Sequence, residues 1–377
     1  MKVLIVGSGG REHALAWACS RSGLSPQIYC APGNGGTTRI AENVDIKADD
    51  LGDIVDFVRK ETVDLTIVGP EAPLVNGLVD KLTARGYRVF GPSKSAAGIE
   101  GSKSFSKSLM QETGVPTAEY RTFTEFDEAR RYILESGGNV VVKASGLAAG
   151  KGATVCINKE EAVLVAEAML LKCKFGDASR EIVIEKCLKG SEMSLMAFSD
   201  GEDYLLLPPS RDHKRAYDND EGPNTGGMGA YSPLDEFKPD EIAHTAESVF
   251  PPVLKRLAEL GAPYHGLLYA GLMLTPDGPR VLEFNCRFGD PETQAQLPIM
   301  IEDPLEIMLA VSENRLGAWM AEHNCASNDW MKLGGDRHAV TVVAAASGYP
   351  AGYVKGMKIE NLPEDTDGVI IFHAGTS

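Results

Sequence analysis

Residues 140–157 read V-V-V-K-A-S-G-L-A-A-G-K-G-A-T-V-C-I. The valine run closing on Lys143 has the β-branched, continuously apolar character of a buried strand. Leu147–Gly152 is a glycine-rich loop, and Ala153–Ile157 returns to strand. Strand–glycine loop–strand differs from the strand–glycine loop–helix of a Walker A site, and it predicts a flap that closes over a ligand. Lys143 ends an apolar strand, so its ammonium needs a partner. A triphosphate would supply one. Gly150 and Gly152, on either side of Lys151, let backbone N–H groups approach phosphate oxygens. Lys103, in E-G-S-K-S (100–104), is a third lysine in a glycine- or strand-edge setting.

Upstream, residues 1–100 alternate short apolar runs with amphipathic stretches. Lys2–Val6, Gln27–Ala31, Asp64–Gly69 and Arg88–Phe90 read as strands. Arg11–Ser22, Asp49–Glu61 and a stretch near Leu74–Arg85 read as helices, with a turn at Pro70–Pro73. This βαβ alternation predicts a parallel sheet with helices on both faces. The first turn, Val6-Gly7-Ser8-Gly9-Gly10-Arg11-Glu12, places Gly9 and Gly10 at a helix N-terminus. It suits either a tight turn without a ligand or a phosphate cradle to which Arg11 adds charge. A dinucleotide fingerprint needs a third glycine where Glu12 stands, and an acidic residue ending the second strand, which reads Q-I-Y-C-A (27–31). An NAD-dependent oxidoreductase is therefore disfavoured.

Downstream, helices are expected near Ser104–Thr113, at Glu125–Ser136 and at Lys159–Leu171. The strand Glu181–Glu185 runs into Lys186-Cys187-Leu188. That segment is either an ordinary linker or a hinge offering backbone groups to an adenine edge, with Glu192 placed for ribose hydroxyls. Longer strands follow at Met193–Phe198, Tyr204–Leu207, Leu267–Leu274 and Arg280–Asn285, with a long helix near Asp240–Leu260. Ser210–Pro233 is a long polar loop, and such loops inside a compact domain are usually functional. It holds Asp212-His213-Lys214-Arg215 and G-P-N-T-G-G-M-G (222–229), a basic cluster before a flexible loop that suits a phosphorylated sugar and a small zwitterion. In Val281–Arg287, strand alternation puts Glu283, Asn285 and Arg287 on one face and Phe284 and Cys286 on the other. Two oxygen donors suit Mg²⁺, and Arg287 is placed to stabilise a transferring phosphoryl group. Gly289-Asp290-Pro291-Glu292 adds further polar groups. Residues 326–377 begin another β-rich unit, with strands at Ala339–Ala346 and Gly368–Phe372.

The composition limits the partners. Of 377 residues, 43% are apolar and 24% charged, ordinary for a globular chain of two or three domains. A net charge of −16 opposes long nucleic acid. No apolar run reaches the ~18–20 residues that span a bilayer, and the N-terminus lacks a signal-peptide pattern, so a cytoplasmic location is expected. The seven cysteines form no C-x-x-C pair and the seven histidines no H-E-x-x-H, which speaks against a structural metal.

Taken together, G-S-G-G-R-E-H (7–13), I-V-G-P-E-A-P-L-V (67–75), E-G-S-K (100–103), K-A-S-G-L-A-A-G-K-G (143–152), D-H-K-R (212–215), G-P-N-T-G-G-M-G-A-Y (222–231) and L-E-F-N-C-R-F-G-D-P-E-T-Q (282–294) closely resemble the glycinamide ribonucleotide synthetases, or phosphoribosylamine–glycine ligases, of the ATP-grasp superfamily. The match runs in order along essentially the whole chain. It implies an α/β protein: a Rossmann-like parallel-sheet domain (1–101), an ATP-grasp domain (102–325, with a small lobe at about 115–190 and a larger lobe at about 191–325) and a β-rich C-terminal domain (326–377). That last domain is expected to be partial, because family members usually continue past H-A-G-T. The resemblance implies an ATP-dependent ligase of purine synthesis that joins glycine to 5-phosphoribosylamine through a glycyl phosphate. It assigns phosphate contacts to Lys103, Lys143 and the flap 146–152 (Gly150, Lys151 and Gly152 among them), and adenosine to Glu185, Lys186, Leu188 and Glu192. Mg²⁺ or Mn²⁺ falls to Glu283 and Asn285. The substrates fall to Gly9, Gly10, Asp212, Lys214, Arg215, Asn224, Thr225, Gly226, Gly227, Arg287 and Asp290. Lys103, Lys143 and Arg287 are the expected catalytic groups. A monomer or dimer acting on small molecules, away from membranes and nucleic acid, is implied.

Overall fold

The computed structural model describes residues 1–148, 150–363, 366 and 368–377, with Asp220 described by its backbone alone. Strands β1 (Lys2–Gly7), β2 (Gln27–Pro32), β3 (Glu42–Asn43), β4 (Leu65–Val68) and β5 (Val89–Phe90) form an all-parallel sheet in the order β3-β2-β1-β4-β5. Val3–Val6 and Leu65–Ile67 are at most barely exposed, as strands covered on both faces should be. The helix Leu51–Glu61 starts where the Asp50 side chain accepts the Asp53 amide, and it buries Ile54, Val55 and Val58. The short helix Glu71–Val75 begins inside Pro70–Pro73, which was expected as a turn.

A second sheet is antiparallel, in the order β6 (Tyr120–Phe123), β9 (Ile182–Lys186), β7 (Val140–Ala144), β8 (Ala153–Cys156). The helices Phe126–Ser136 and Lys159–Leu170 close its core through Ile133, Ala162, Ala166 and Met169. The strand–loop–strand reading is therefore the β7–β8 hairpin, paired from Val140–Cys156 to Lys143–Ala153; Ala149 of its flap lies outside the described residues.

The third sheet runs β11 (Tyr204–Leu206), β10 (Ser191–Asp200), β16 (His265–Thr275), β17 (Gly278–Asn285). It is packed on both faces, with Leu195 and Ala197 in one core and Met196 and Phe198 in another. The helix Pro239–Glu259 supplies Val249, Phe250 and Val253 to the first core. The polar segment expected as a loop contains short strands: β12 (Arg211–Asp212), β13 (Arg215–Tyr217), β14 (Glu221–Asn224) and β15 (Gly229–Ser232). β13 pairs with β14, while β12, β15 and β18 (Ala339–Val342) make a small sheet. Four helices between Glu292 and Gly334 have no counterpart in the strand-based reading of that region.

The second strand expected in the C-terminal unit does not form. Among the described residues, the stretch at Gly368–Phe372 has an isolated bridge between Thr366 and Val369 and no longer ladder. Residues 373–376 instead lie against the first sheet's loops. The His373 amide donates to His13 Nδ1 at 2.8 Å, and the Gly35 amide donates to the Thr376 carbonyl at 3.0 Å. Backbone groups satisfied by a neighbouring loop need no strand partner. Among the described residues, no helix is long and apolar enough to cross a membrane.

Candidate active site

A cavity of about 530 Å³ opens between the β7–β9 sheet, β17 and the polar segment after β11. Lys143, on β7, reaches it with a nearly buried side chain. Its ammonium already has a partner, because it forms an ion pair with Glu185 on β9 and donates to the Leu282 carbonyl at 3.3 Å. The pairing that the sequence argument left to a triphosphate is thus supplied by the protein. A β-bulge makes this possible. Gly271 opposes Glu283 while the next residue, Leu272, opposes Val281, so Leu282 is the extra residue of β17. A bulge of this kind takes one residue out of the ladder beside a site and re-aims its neighbours.

Glu185 faces a second lysine. Lys107 Nζ lies 2.6 Å from Glu185 Oε2, an electrostatic contact rather than a well-directed hydrogen bond. Lys107 directs its hydrogen bond to Thr117 Oγ1 at 2.6 Å, and Thr117 donates to the Val281 carbonyl at 2.6 Å. Burial alone would raise the Glu185 carboxyl, but the Lys143 and Lys107 ammonium groups outweigh it and hold the group below the usual carboxylate value. The Glu185 side chain is therefore committed to lysines, and Glu185, Lys186, Cys187 and Leu188 all front the cavity.

Glu283, Asn285 and Arg287 line the cavity and Cys286 is buried in the core, as alternation predicts; Phe284, also buried, still touches the cavity wall. Burial opposes ionisation of Glu283. Lys103, Lys143, Lys214 and Arg287 reverse that effect and keep it ionised below the usual range. An ionised carboxylate and an amide oxygen on one face are hard donors that fit a divalent cation preferring oxygen. Among the described residues no group of three or more His, Cys, Asp or Glu side chains is set to hold a metal. A cation here would draw its remaining ligands from phosphate or water. Lys103 lines the same cavity, and among the described residues no carboxylate lies within ion-pair distance of it.

Arg287 is clamped from the first sheet's side. Its Nε lies 3.4 Å from Glu71 Oε2 and its Nη2 lies 3.5 Å from Glu100 Oε1. The other Glu100 oxygen accepts the Cys286 amide at 2.7 Å. Burial disfavours the guanidinium charge, yet Glu100, Glu71 and Glu292 more than restore it, so the group stays cationic.

Across the cavity, Lys214 Nζ lies 3.0 Å from Glu192 Oε2 and 3.7 Å from Asp212 Oδ2. Burial pushes the Asp212 carboxyl up to about 7; Lys214 opposes this, and Glu292 and Glu192 add to it. Glu292 accepts from Tyr269 Oη at 2.6 Å, which also meets Ser194 Oγ at 2.8 Å. The glycine-rich loop is anchored at its middle. The Thr225 amide donates to the Lys214 carbonyl at 2.7 Å, and the Gly226 amide donates to Tyr349 Oη at 3.0 Å. Gly227 has φ +120°, and a Cβ there would sit 2.3 Å from Pro291 Cδ, so only glycine fits.

Of the expected site residues, Lys103, Lys143, Gly150, Gly152, Glu185, Lys186, Leu188, Glu192, Asp212, Lys214, Asn224, Thr225, Gly226, Glu283, Asn285, Arg287 and Asp290 share this one cavity. Gly9, Gly10, Lys151, Arg215 and Gly227 are not on its wall. Lys151 is solvent-exposed. Arg215 donates to the Gly222 carbonyl at 2.7 Å within its own hairpin. The Gly9 amide, expected to cradle phosphate, donates to Glu12 Oε2 at 2.6 Å. Arg11 is held 2.5 Å from the other Glu12 oxygen. That turn is capped by its own carboxylate, and it meets the cavity through Arg11, which lines the wall.

Residues 1–100 match the family model described as phosphoribosylglycinamide synthetase, N domain, and residues 101–293 match phosphoribosylglycinamide synthetase, ATP-grasp (A) domain. The chain belongs to the phosphoribosylglycinamide synthetase family. Within this synthetase family, the phosphoribosylamine–glycine ligase of Escherichia coli (strain K12) is 47% identical over 380 residues, covering all of this chain and 86% of that protein. The ligase of that name from Halalkalibacterium halodurans is 45% identical over 377 residues, covering all of this chain and 85% of that protein. A crystal structure of phosphoribosylamine–glycine ligase from Thermotoga maritima superposes with a TM-score of 0.82 at 33% identity, covering all of this chain and 87% of that one. The biotin carboxylase domain of Hydrogenobacter thermophilus 2-oxoglutarate carboxylase shares the fold alone, with a TM-score of 0.69 at 18% identity over 90% of this chain and 73% of that one. The synthetase chain thus has the ATP-grasp fold with a Rossmann-like N-terminal sheet.

Several groups at or behind this synthetase site escaped the sequence reading: Lys107, Thr117, Glu71, Glu100 and Tyr269. Lys107 had a usable signal, since it stands four residues after Lys103 and so on the same face of the helix Lys103–Thr113. Glu71 and Glu100 lie inside motifs that were noticed, but their reach to Arg287 is a long-range packing fact with no local signature.

Proposed function

We propose that this chain is an ATP-dependent ligase that joins glycine to 5-phosphoribosylamine, giving glycinamide ribonucleotide, ADP and phosphate in purine synthesis. A glycine carboxylate oxygen attacks the γ-phosphorus of ATP and ADP leaves. The amine nitrogen of phosphoribosylamine then attacks the acyl carbon, and phosphate leaves with the carboxylate's oxygen. The observation that carries this reading is the convergence of Lys103, Lys143, Lys214 and Arg287 around the ionised Glu283 in one cavity, in a chain of this family.

Lys103 and Lys143 bind and orient the phosphates, and Arg287 offsets negative charge on the transferring phosphoryl group. The flap 146–152 covers them, with Gly150 and Gly152 on the cavity wall and Lys151 outside it. The hinge Glu185–Leu188 receives adenine through backbone groups, and Glu192 the ribose. Asp212, Lys214, Asn224–Gly226 and Asp290 hold glycine and phosphoribosylamine. Glu283 and Asn285 would hold Mg²⁺, with Mn²⁺ as a substitute, and such a cation supplies charge neutralisation on phosphate oxygens when bound. The domain division 1–101, 102–325 and 326–377 is our working one; the parallel sheet of the first 90 residues supports its first boundary, whereas β18 pairs with β15 across the last. We place the protein in the cytoplasm, where its substrates are made. ADP release tests the reaction: ADP must form only when glycine and phosphoribosylamine are both present. ADP formed equally well with another amino acid would point instead to a different carboxylate–amine ligase.

A further inference from the structure

Lys107 has no part in the reaction as drawn, yet its side chain is only 3% exposed and it sits between two halves of the site. A buried ammonium is costly unless paired. Glu185 is its charge partner, and Glu185 already holds Lys143 on its other oxygen. One carboxylate therefore faces two cations at the cavity wall, with Glu283 the further anion acting on both. Burial, with the Lys143 charge adding to it, pushes the Lys107 ammonium below its ordinary value, and Glu185 pulls it back. The second cation is what an arriving polyphosphate would use.

We propose that Lys107 is a positioning residue that acts through Glu185: it keeps that carboxylate counter-charged, so that Lys143 can pass from Glu185 to the phosphates of the nucleotide. The proposal rests on the reading of the cavity as an ATP site. Without Lys107, Lys143 would be the only cation on Glu185. Nucleotide binding would then have to strand a buried carboxylate, one of the costlier events in a protein interior. With Lys107 in place, Glu185 keeps one ion pair throughout. The second tie of Lys107, through Thr117 to the Val281 carbonyl, fixes the ammonium against β17, one residue before the bulge whose Leu282 carbonyl also receives Lys143. Lys143 thus contacts the Leu282 carbonyl directly, while Lys107 reaches the preceding carbonyl, that of Val281, only through Thr117. Lys107 is held through Thr117, and Lys143 lines the cavity into which it would turn.

The test is binding of a non-hydrolysable ATP analogue with Mg²⁺ by titration calorimetry, together with KM values for ATP and glycine. Lys107→Met should weaken the analogue by about tenfold or more and raise the ATP KM in step, with the glycine KM unchanged. Lys107→Arg, which keeps the charge, should recover most of the loss. The decisive variant is Lys107→Met combined with Glu185→Gln. Removing the carboxylate's charge frees Lys143, so the pair should bind the analogue better than Lys107→Met alone. A purely structural role predicts the reverse, a double variant weaker than either single one, and that result overturns the proposal. So does Lys107→Met binding like the parent. Should Lys107→Met fail to fold, Glu185→Gln alone decides: affinity equal to or above the parent's supports the hand-off, and a tenfold loss refutes it. The binding measurement needs neither glycine nor phosphoribosylamine. A chain that shows this pattern but releases no ADP with both substrates would refute the ligase reading and leave the hand-off standing. A parent that binds no Mg-nucleotide would sink both.

Discussion

Asp212→Asn should make the protein more stable and less active, and the stability gain should depend on pH in a defined way. The Asp212 carboxyl, 6% exposed, titrates near 7 in the folded protein against an ordinary value of 3.8. The folded state therefore binds a proton that the unfolded chain has already lost between those two values. Over that window the parent loses stability as pH rises, by up to ~1.4 kcal/mol per pH unit. Asparagine mimics the protonated carboxyl and removes this dependence. The gain of the variant over the parent is near zero below the ordinary carboxylate value, grows as pH rises toward 7, and levels off above that at a size on the order of a few kcal/mol. Lys214 keeps Glu192 at 3.0 Å in the variant, so its ammonium is not left unpaired. The assay is urea unfolding of both proteins from pH 5 to 8, in chelator and without nucleotide, because bound ligand would add its own linkage. A stability difference that stays flat across that range, or a variant less stable than the parent at pH 8, would refute the reasoning. The trade of stability against activity is common where a charged group is kept buried for function.

Two further outcomes follow from the same geometry. Glu283→Ala removes the one ionised oxygen donor of the expected cation pair. Turnover should fall by ~100-fold or more, and the extra thermal stabilisation that ATP gives with Mg²⁺ over ATP alone should vanish; near-normal turnover would count against the metal assignment. Gly69→Ala places a Cβ 2.0 Å from Glu12 Oε1. Glu12 is 2% exposed and held by both the Gly9 amide and Arg11, so it has nowhere to yield. A loss of about 1–3 kcal/mol is expected, and an unchanged melting temperature would show that the turn is softer than its hydrogen bonds imply.

Phosphate chemistry was legible because it depends on local features. The β7–β8 hairpin follows from a valine run, a glycine loop and a return strand. The placement of Glu283, Asn285 and Arg287 follows from a period of two. The parallel sheet follows from the βαβ alternation of the first 100 residues. Each is set by short-range sterics and the need to bury one face, so residue order alone suffices. What the sequence could not determine is which charge meets which. Lys143 needed a partner, but only the register of β7 on β9 makes that partner Glu185, and only the bulge at Leu282 turns a carbonyl toward it. Gly9 looked free to bind phosphate until the helix brought Glu12 back onto its amide. Glu71 and Glu100 reach Arg287 from more than 180 residues away in sequence. Electrostatic pairing acts through space at a few ångströms, and distances of that kind exist only once the chain has folded.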